Sequence, residues 1–248
     1  MSKDWDFYLC EVEGKPASVF LDLGVAADAP LARFPFAAVL RLSLLSPSAD
    51  GLSSRDEFDA LTAIEDALAA HLVSRSTTYV GRITSDGRRD FHFYTAAERG
   101  WNEQVAAVLA EFPTYRFRCV VESDPDWNTY FETLSPSDED RERIQNRRTC
   151  AALQAQGDRL ETPRPIEHWA YFRKSKPRQA FIDQATALGY RIDELIDPEE
   201  KGEPYAVRLC CDGIPSLRGI DEITLPLFRA ARECGGQYDG WETQLVSD

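Results

Sequence analysis

The sequence predicts an α+β chain of two consecutive β-α-β-β-α-β units with a β-hairpin in front. Three observations carry that expectation. Short runs alternate apolar with polar residues, the period of a strand with one buried face. Between them lie longer stretches whose apolar residues recur every three to four positions, the period of a helix packed on one side. The order of the two kinds of run then repeats once along the 248 residues.

Trp5 to Val12 and Ser18 to Leu23, joined by Glu13-Gly14-Lys15-Pro16, form the expected hairpin. Gly24 to Arg33 is less regular. Phe36 to Leu45 is the clearest early strand, with Phe36, Ala38, Leu40, Leu42 and Leu44 on one face and Val39, Arg41 and Ser43 on the other. Ser53 and Ser54 precede Asp56 and Glu57 at capping-box spacing. The helix that follows carries Phe58, Leu61, Ile64, Leu68 and Leu72. Thr77 to Thr84 and Phe91 to Thr95 pair through Ser85-Asp86-Gly87, because Asp-Gly accepts the positive φ of a tight hairpin turn. Glu98 to Phe112 is a helix stopped by Pro113, and Tyr115 to Val121 is the last strand of the first unit. Trp127 to Leu134 is an apolar tail of ambiguous type.

A second unit follows a linker at Ser135-Pro136. Ser137 and Asp140 have capping-box spacing, and Asp138, Glu139 and Asp140 suit the positive end of a helix that runs to Gly157. Ile166 to Arg173 is an aromatic strand, Lys176 to Leu188 a helix, and Tyr190 to Ile196 and Tyr205 to Cys211 strands. The helix around Ile220 to Cys234 contains Pro226, where a kink or restart is expected. Gly235 or Gly236 stops it. Tyr238 and Trp241 then lie in a closing strand, where Gly240 suggests a bulge or a close backbone approach. The element order is that of the ferredoxin-like fold, an antiparallel sheet with helices on one face. Two tandem ferredoxin-like domains are expected, at 1–134 and 135–248.

The chain carries 28 basic and 42 acidic residues, a net charge of -14, and is 43% hydrophobic, enough for a packed core. Both halves are acidic, with 12 basic against 21 acidic residues before position 135 and 16 against 21 after it. Such a field disfavours direct nucleic-acid binding and suits a basic protein partner. The six cysteines show no C-x-x-C spacing, and adjacent Cys210 and Cys211 point to opposite faces of a strand, so free thiols in a reducing cytoplasm are expected. The N-terminus has no apolar core of a signal peptide, and no run is long enough to span a membrane.

Each predicted sheet leaves one face without helices, and strand parity nominates what lies there. In the first unit Arg41, Arg82, Arg116 and Arg118 make a candidate face for an anion or an acidic partner. In the second, Trp169, Tyr171, Arg208, Tyr238 and Glu242 share the open face, which makes them candidate partner-binding residues together with His168, Asp239 and Trp241. An aromatic sheet face is also how some modules stack RNA bases, which keeps a ligand- or RNA-binding module as the alternative. No histidine has metal-ligand spacing, and no nucleophile elbow or phosphate-binding glycine loop occurs, so no enzymatic activity, cofactor or metal is expected. A catalytic reading would need His168, Tyr238, Asp239 and Glu242 to meet in one cleft.

Two stretches resemble known families. Arg164-Pro165-Ile166-Glu167-His168-Trp169-Ala170-Tyr171-Phe172, Gly189-Tyr190, Pro204-Tyr205 and Gly235-Gly236-Gln237-Tyr238-Asp239-Gly240-Trp241-Glu242-Thr243 resemble the regulator of ribonuclease E activity B (RraB) family, over about residues 137 to 246. Phe36 to Leu45 and Gly81 to Tyr94 are similar to the DUF695 family. The first resemblance implies a cytoplasmic, non-catalytic protein that binds the C-terminal scaffold region of ribonuclease E and changes which transcripts decay. It assigns no contact residues.

Overall fold

The computed structural model describes residues 2, 4–200 and 202–246. The chain divides into two compact units, Met1–Pro136 and Ser137–Asp248. The first contains β1 (Trp5–Val12), β2 (Lys15–Asp22), β3 (Phe36–Ser43), α1 (Phe58–Leu72), β4 (Thr77–Ser85), β5 (Arg88–Thr95), α2 (Trp101–Leu109) and β6 (Phe117–Ser123). Its antiparallel sheet has the order β1-β2-β4-β5-β3-β6. Ala38, Leu40 and Leu42 of β3 and Phe91 and Phe93 of β5 meet Leu61, Ile64 and Leu68 of α1 and Trp101 and Val105 of α2 in one buried core. The alternating run and the two helical runs therefore bury the same seam from both sides. The β4–β5 turn has Asp86 at φ +50° and Gly87 at φ +72°, the geometry that Asp-Gly favours.

Two local expectations are corrected, and the ambiguous tail takes a defined form. Ser53 and Ser54 do not cap α1. Glu57 occupies the N-cap, and its carboxylate accepts the amides of Leu45 and Ser46 at 2.8 and 2.9 Å, tying the helix start to the end of the β3 segment. α2 starts at Trp101 rather than Glu98, behind Gly100 at φ +84°. The Trp127–Leu134 tail contains a π-helical turn, Thr129–Leu134, and covers part of the sheet face that carries no helices. Asp124 organises its start by accepting the amides of Asn128 and Thr129 at 2.8 and 2.9 Å and the Tyr94 hydroxyl at 2.7 Å. Trp127 stacks on Tyr94 with ring centroids 3.9 Å apart, and Tyr130 donates to the Asp22 carbonyl at 2.7 Å.

The second unit contains α3 (Asp138–Ala155), β7 (Arg164–Phe172), α4 (Ser175–Ala187), β8 (Arg191–Ile196), β9 (Tyr205–Gly213), α5 (Ile220–Glu233) and β10 (Gln237–Thr243). Its antiparallel sheet runs β10-β7-β9-β8. Ser137 caps α3 by accepting the Asp140 amide at 3.1 Å. α5 runs through Pro226 as one helix, with no restart. Its C-terminal stop divides the work between two glycines. Gly235 takes φ +71°, and Gly236 lies so close to the Phe172 ring that a Cβ there would sit 2.1 Å from Cε1. Among the described residues no helix is long and apolar enough to cross a membrane.

Candidate partner-binding face

Strand β7 sorts its side chains cleanly. Ile166, His168, Ala170 and Phe172 are buried toward the helices, whereas Glu167, Trp169 and Tyr171 are half-exposed on the other face. That open face carries charge around an aromatic centre. Arg208 of β9 stands opposite Trp169, its guanidinium 5.3 Å from the ring centroid. Arg208 Nε donates to Asp193 at 2.5 Å, and Glu194 and Glu167 lie 3.3 and 3.7 Å from the same guanidinium. The Asp193 hydrogen bond holds the Arg208 pKa above its ordinary value. Trp169 Nε1 donates to Glu242 of β10 at 3.0 Å. Along β8 and β9 the row continues with Arg191 and Asp212, 2.9 Å apart and both exposed.

Strand β10 contains the bulge that Gly240 suggested. Tyr238 pairs with Ala170, but Gly240 already pairs with Trp169, so Asp239 is the additional residue and Gly240 takes φ +102°. The bulge resets the alternation beyond it, and this corrects the parity reading. Tyr238 is not on the open face. It is 7% exposed on the helix side, and its hydroxyl meets His168 Nδ1 at 2.9 Å. Trp241 also turns inward, donating from Nε1 to Asn146 of α3 at 2.9 Å, and Glu242 turns outward.

His168 is 1% exposed, and burial pushes its pKa down to about 3, so it is a neutral ring at neutral pH. Cys211 Sγ lies 3.6 Å from its Nε2, with the thiol pushed up to about 11 by burial. A neutral imidazole beside a protonated thiol is a packed polar core pair. His168, Tyr238, Asp239 and Glu242 do not converge: the first two bond to each other inside, while the last two are exposed.

At one end of the same sheet Tyr171, Tyr205, Gly235, Gly236, Gln237 and Asp239 line an open cavity of about 1230 Å³, rimmed by Glu200, Glu203 and Arg173. Sequence reasoning passed over Glu200, Glu203 and Tyr205. The available signal was the acidic turn leading into Pro204-Tyr205. Under α3, Asn146 donates to Asp221 and Thr224 of α5 at 2.8 and 2.7 Å, and Glu139 takes Arg229 at 2.6 Å and Arg143 at 2.8 Å. Glu142 is half-buried nearby, its Oε1 buried and without a hydrogen-bond partner among the described residues, and burial, reinforced by Asp221 and Asp239, raises its pKa to about 7.

The four arginines of the first unit do not form one face. A bulge between Tyr79 and Gly81 shifts the register of β4, so Arg82 turns to the helix side and pairs with Glu65 of α1 at 2.6 Å. Arg41 and Arg118 remain opposite each other on the helix-free face, with Arg41 bound by both oxygens of Asp90 at 2.7 and 2.5 Å. Arg116 precedes β6 and is exposed. Among the described residues no group of three or more His, Cys, Asp or Glu could hold a metal ion.

Comparison with known proteins adds the following. The family described as "Family of unknown function (DUF695)" matches residues 3–135, and "Regulator of ribonuclease activity B" (RraB) matches residues 143–243. No curated protein matches the chain. Among solved structures, an unknown protein from Galdieria sulphuraria aligns at 12% identity over 84% of this chain and 97% of its own, with a TM-score of 0.22. A candidate glycine cleavage system transcriptional repressor aligns at 5% identity over 84% and 98%, with a TM-score of 0.23. The chain belongs to the DUF695 family, and it carries an RraB-family domain C-terminal to the DUF695 region.

Proposed function

We propose that the chain is a non-catalytic cytoplasmic regulator that binds ribonuclease E, or another basic protein, and so modulates RNA degradation. Both units are read as ferredoxin-like domains, at 1–134 and 135–248, the first extended by the β1–β2 hairpin. The observation that carries the proposal is the RraB match over residues 143–243, joined to an open sheet face suited to a cationic segment. On that face Trp169 and Tyr171 are half-exposed, and Glu167, Asp193, Glu194, Asp212 and Glu242 outnumber Arg191 and Arg208. A basic segment could displace the Glu242 and Asp193 contacts and lay its cations over Trp169 and Tyr171, where aromatic anchors concentrate binding energy. Asp239, at the bulge, extends the acidic surface toward the end cavity.

The test is calorimetric titration of the full chain with the C-terminal scaffold region of ribonuclease E, at low and physiological salt. Binding should weaken as salt rises, and the double variant Trp169→Ala/Tyr171→Ala should lose roughly tenfold or more in affinity while melting normally. Absence of binding at low salt, with cleavage by ribonuclease E unchanged, sinks the proposal.

A further inference from the structure

A cleft in the first unit has no counterpart in this reading. On the helix-free face of the six-stranded sheet, two rows cross the strands. One places Ile83, Asp90, Arg41 and Arg118 side by side, and the next places Gly81, His92, Val39 and Val120. The tail covers only part of this face. Beside Thr133 the two rows floor a cleft of about 340 Å³, with Val12 and Glu13 on its rim. Small-molecule sites begin at about this size, and it has room for about ten water-sized groups.

Two features of the cleft point to a ligand. His92 is 5% exposed, yet neither Nδ1 nor Nε2 has a hydrogen-bond partner among the described residues. Buried polar groups are almost always bonded, and His92 belongs to the lining of this cleft, so a group bound there is the natural partner for its ring. Burial also pushes its pKa down to about 4, which leaves a neutral imidazole with one N–H to donate. The second feature is Arg118. Asp90 occupies Arg41 with both carboxylate oxygens, and Arg88 stands at 3.8 and 3.9 Å from Glu13 and Asp86. Arg118 has no ion-pair partner among the described residues, and it lines the cleft together with His92. Beside the paired Arg41 and Asp90, Val39, Ile83 and Val120 give the floor an apolar part. We propose that this cleft binds a small organic carboxylate, with its charged end between Arg118 and His92 and its apolar body against Val39, Ile83 and Val120.

The chemistry favours this class over its neighbours. Arg118 supplies a fixed positive charge that suits a carboxylate, and the imidazole N–H supplies a second donor. An inorganic anion would leave the apolar floor unused, and an uncharged alcohol would leave Arg118 unanswered. The experiment is calorimetric titration of the full chain with benzoate and hexanoate, against inorganic phosphate and benzyl alcohol. The ¹⁵N shifts of the His92 ring are followed in the same titrations.

At least one carboxylate should saturate with a Kd of about 1 mM or tighter, a modest affinity for so few atoms. Its addition should move the His92 ring resonances. Arg118→Gln, an exposed substitution, should weaken binding about tenfold or more, since it removes a charge-assisted bond. His92→Phe keeps the buried volume and should also weaken it while melting normally. The proposal is overturned if neither carboxylate saturates, if phosphate binds as well as benzoate, or if both variants bind like the parent. Failure here leaves the ribonuclease proposal untouched, because that rests on residues of the other unit.

Discussion

Replacing Arg164 by Met should be among the most damaging single changes in the second unit. Arg164 opens β7 and pairs with Asp158 at 2.6 Å, with side chains only 5% and 2% exposed. Its Nε also donates to Thr243 of β10 at 3.2 Å. Asp158 in turn accepts the amides of Leu160 at 2.8 Å and Val246 at 3.1 Å. The pair thus pins together the start of β7 and the end of β10, the two strands that present Trp169 and Glu242. Met keeps the length of the side chain but strands the Asp158 carboxylate without its cation. Removing one partner of a buried ion pair costs about 3–5 kcal/mol. In a unit of this size that should lower the melting midpoint by roughly 10–20 °C. The assay is thermal melting of the full chain beside Arg164→Met, Asp158→Leu and the double variant. The double variant should recover most of the loss, because an apolar pair leaves no uncompensated charge. A single-variant shift of only about 2 °C, or a double variant no better than Arg164→Met, would refute the reasoning.

Three further outcomes follow from local geometry. Glu142 has its folded pKa raised to about 7 by burial, with Asp221 and Asp239 adding to it. The native state therefore holds a proton between the ordinary carboxylate range and pH 7 that the unfolded chain has released, and stability falls as pH rises through that window. Glu142→Gln should gain roughly 1 kcal/mol over the parent at pH 8, after discounting for solvent screening, and little at pH 4.5; equal melting differences at both pH values would refute this. Gly236→Ala forces a Cβ to within 2.1 Å of the buried Phe172 ring and should cost about 1–3 kcal/mol through overpacking. Gly189→Ala has open space around its Cβ and should lose only the left-handed strain of φ +96°, about 1–2 kcal/mol; chemical denaturation of both variants separates the two mechanisms.

Much of the architecture was legible because the signals were local and redundant. The alternation of Phe36 to Leu44, the Asp86-Gly87 turn and the Ser137 cap each specify one element from its own residues, and each is found where it was expected. The candidate sites were read less well, for one physical reason. Face assignment by parity holds only while a ladder stays in register, and both sheets break register beside the residues in question. The bulge before Gly81 moved Arg82 to the helices, and the bulge at Asp239 put Tyr238 on the helix side while Glu242 stayed on the open face. Gly240 gave a visible warning of the second bulge. Gly81, inside the Thr77–Thr84 run, carried the same kind of signal for the first and was passed over. The coverage of the first sheet by Trp127 to Leu134 depends on Asp124, Tyr94 and Asp22, residues far apart in sequence, so no local window contained it.

The two sheets solve the problem of a helix-free face in opposite ways, and the chemistry each can offer follows from that. The first covers part of its face with its own tail. Beside that tail, the buried His92 lines a cleft whose groups suit a small ligand held by a few directed contacts. The second leaves its face in solvent, where the half-exposed aromatics Trp169 and Tyr171 stand among acidic groups already engaged with Trp169 or Arg208. Those contacts are exposed, so each contributes little and can be exchanged for a partner's cation at small cost. A covered face with unbonded polar groups selects a small molecule by shape. An open face with exchangeable charges suits a protein segment of opposite sign.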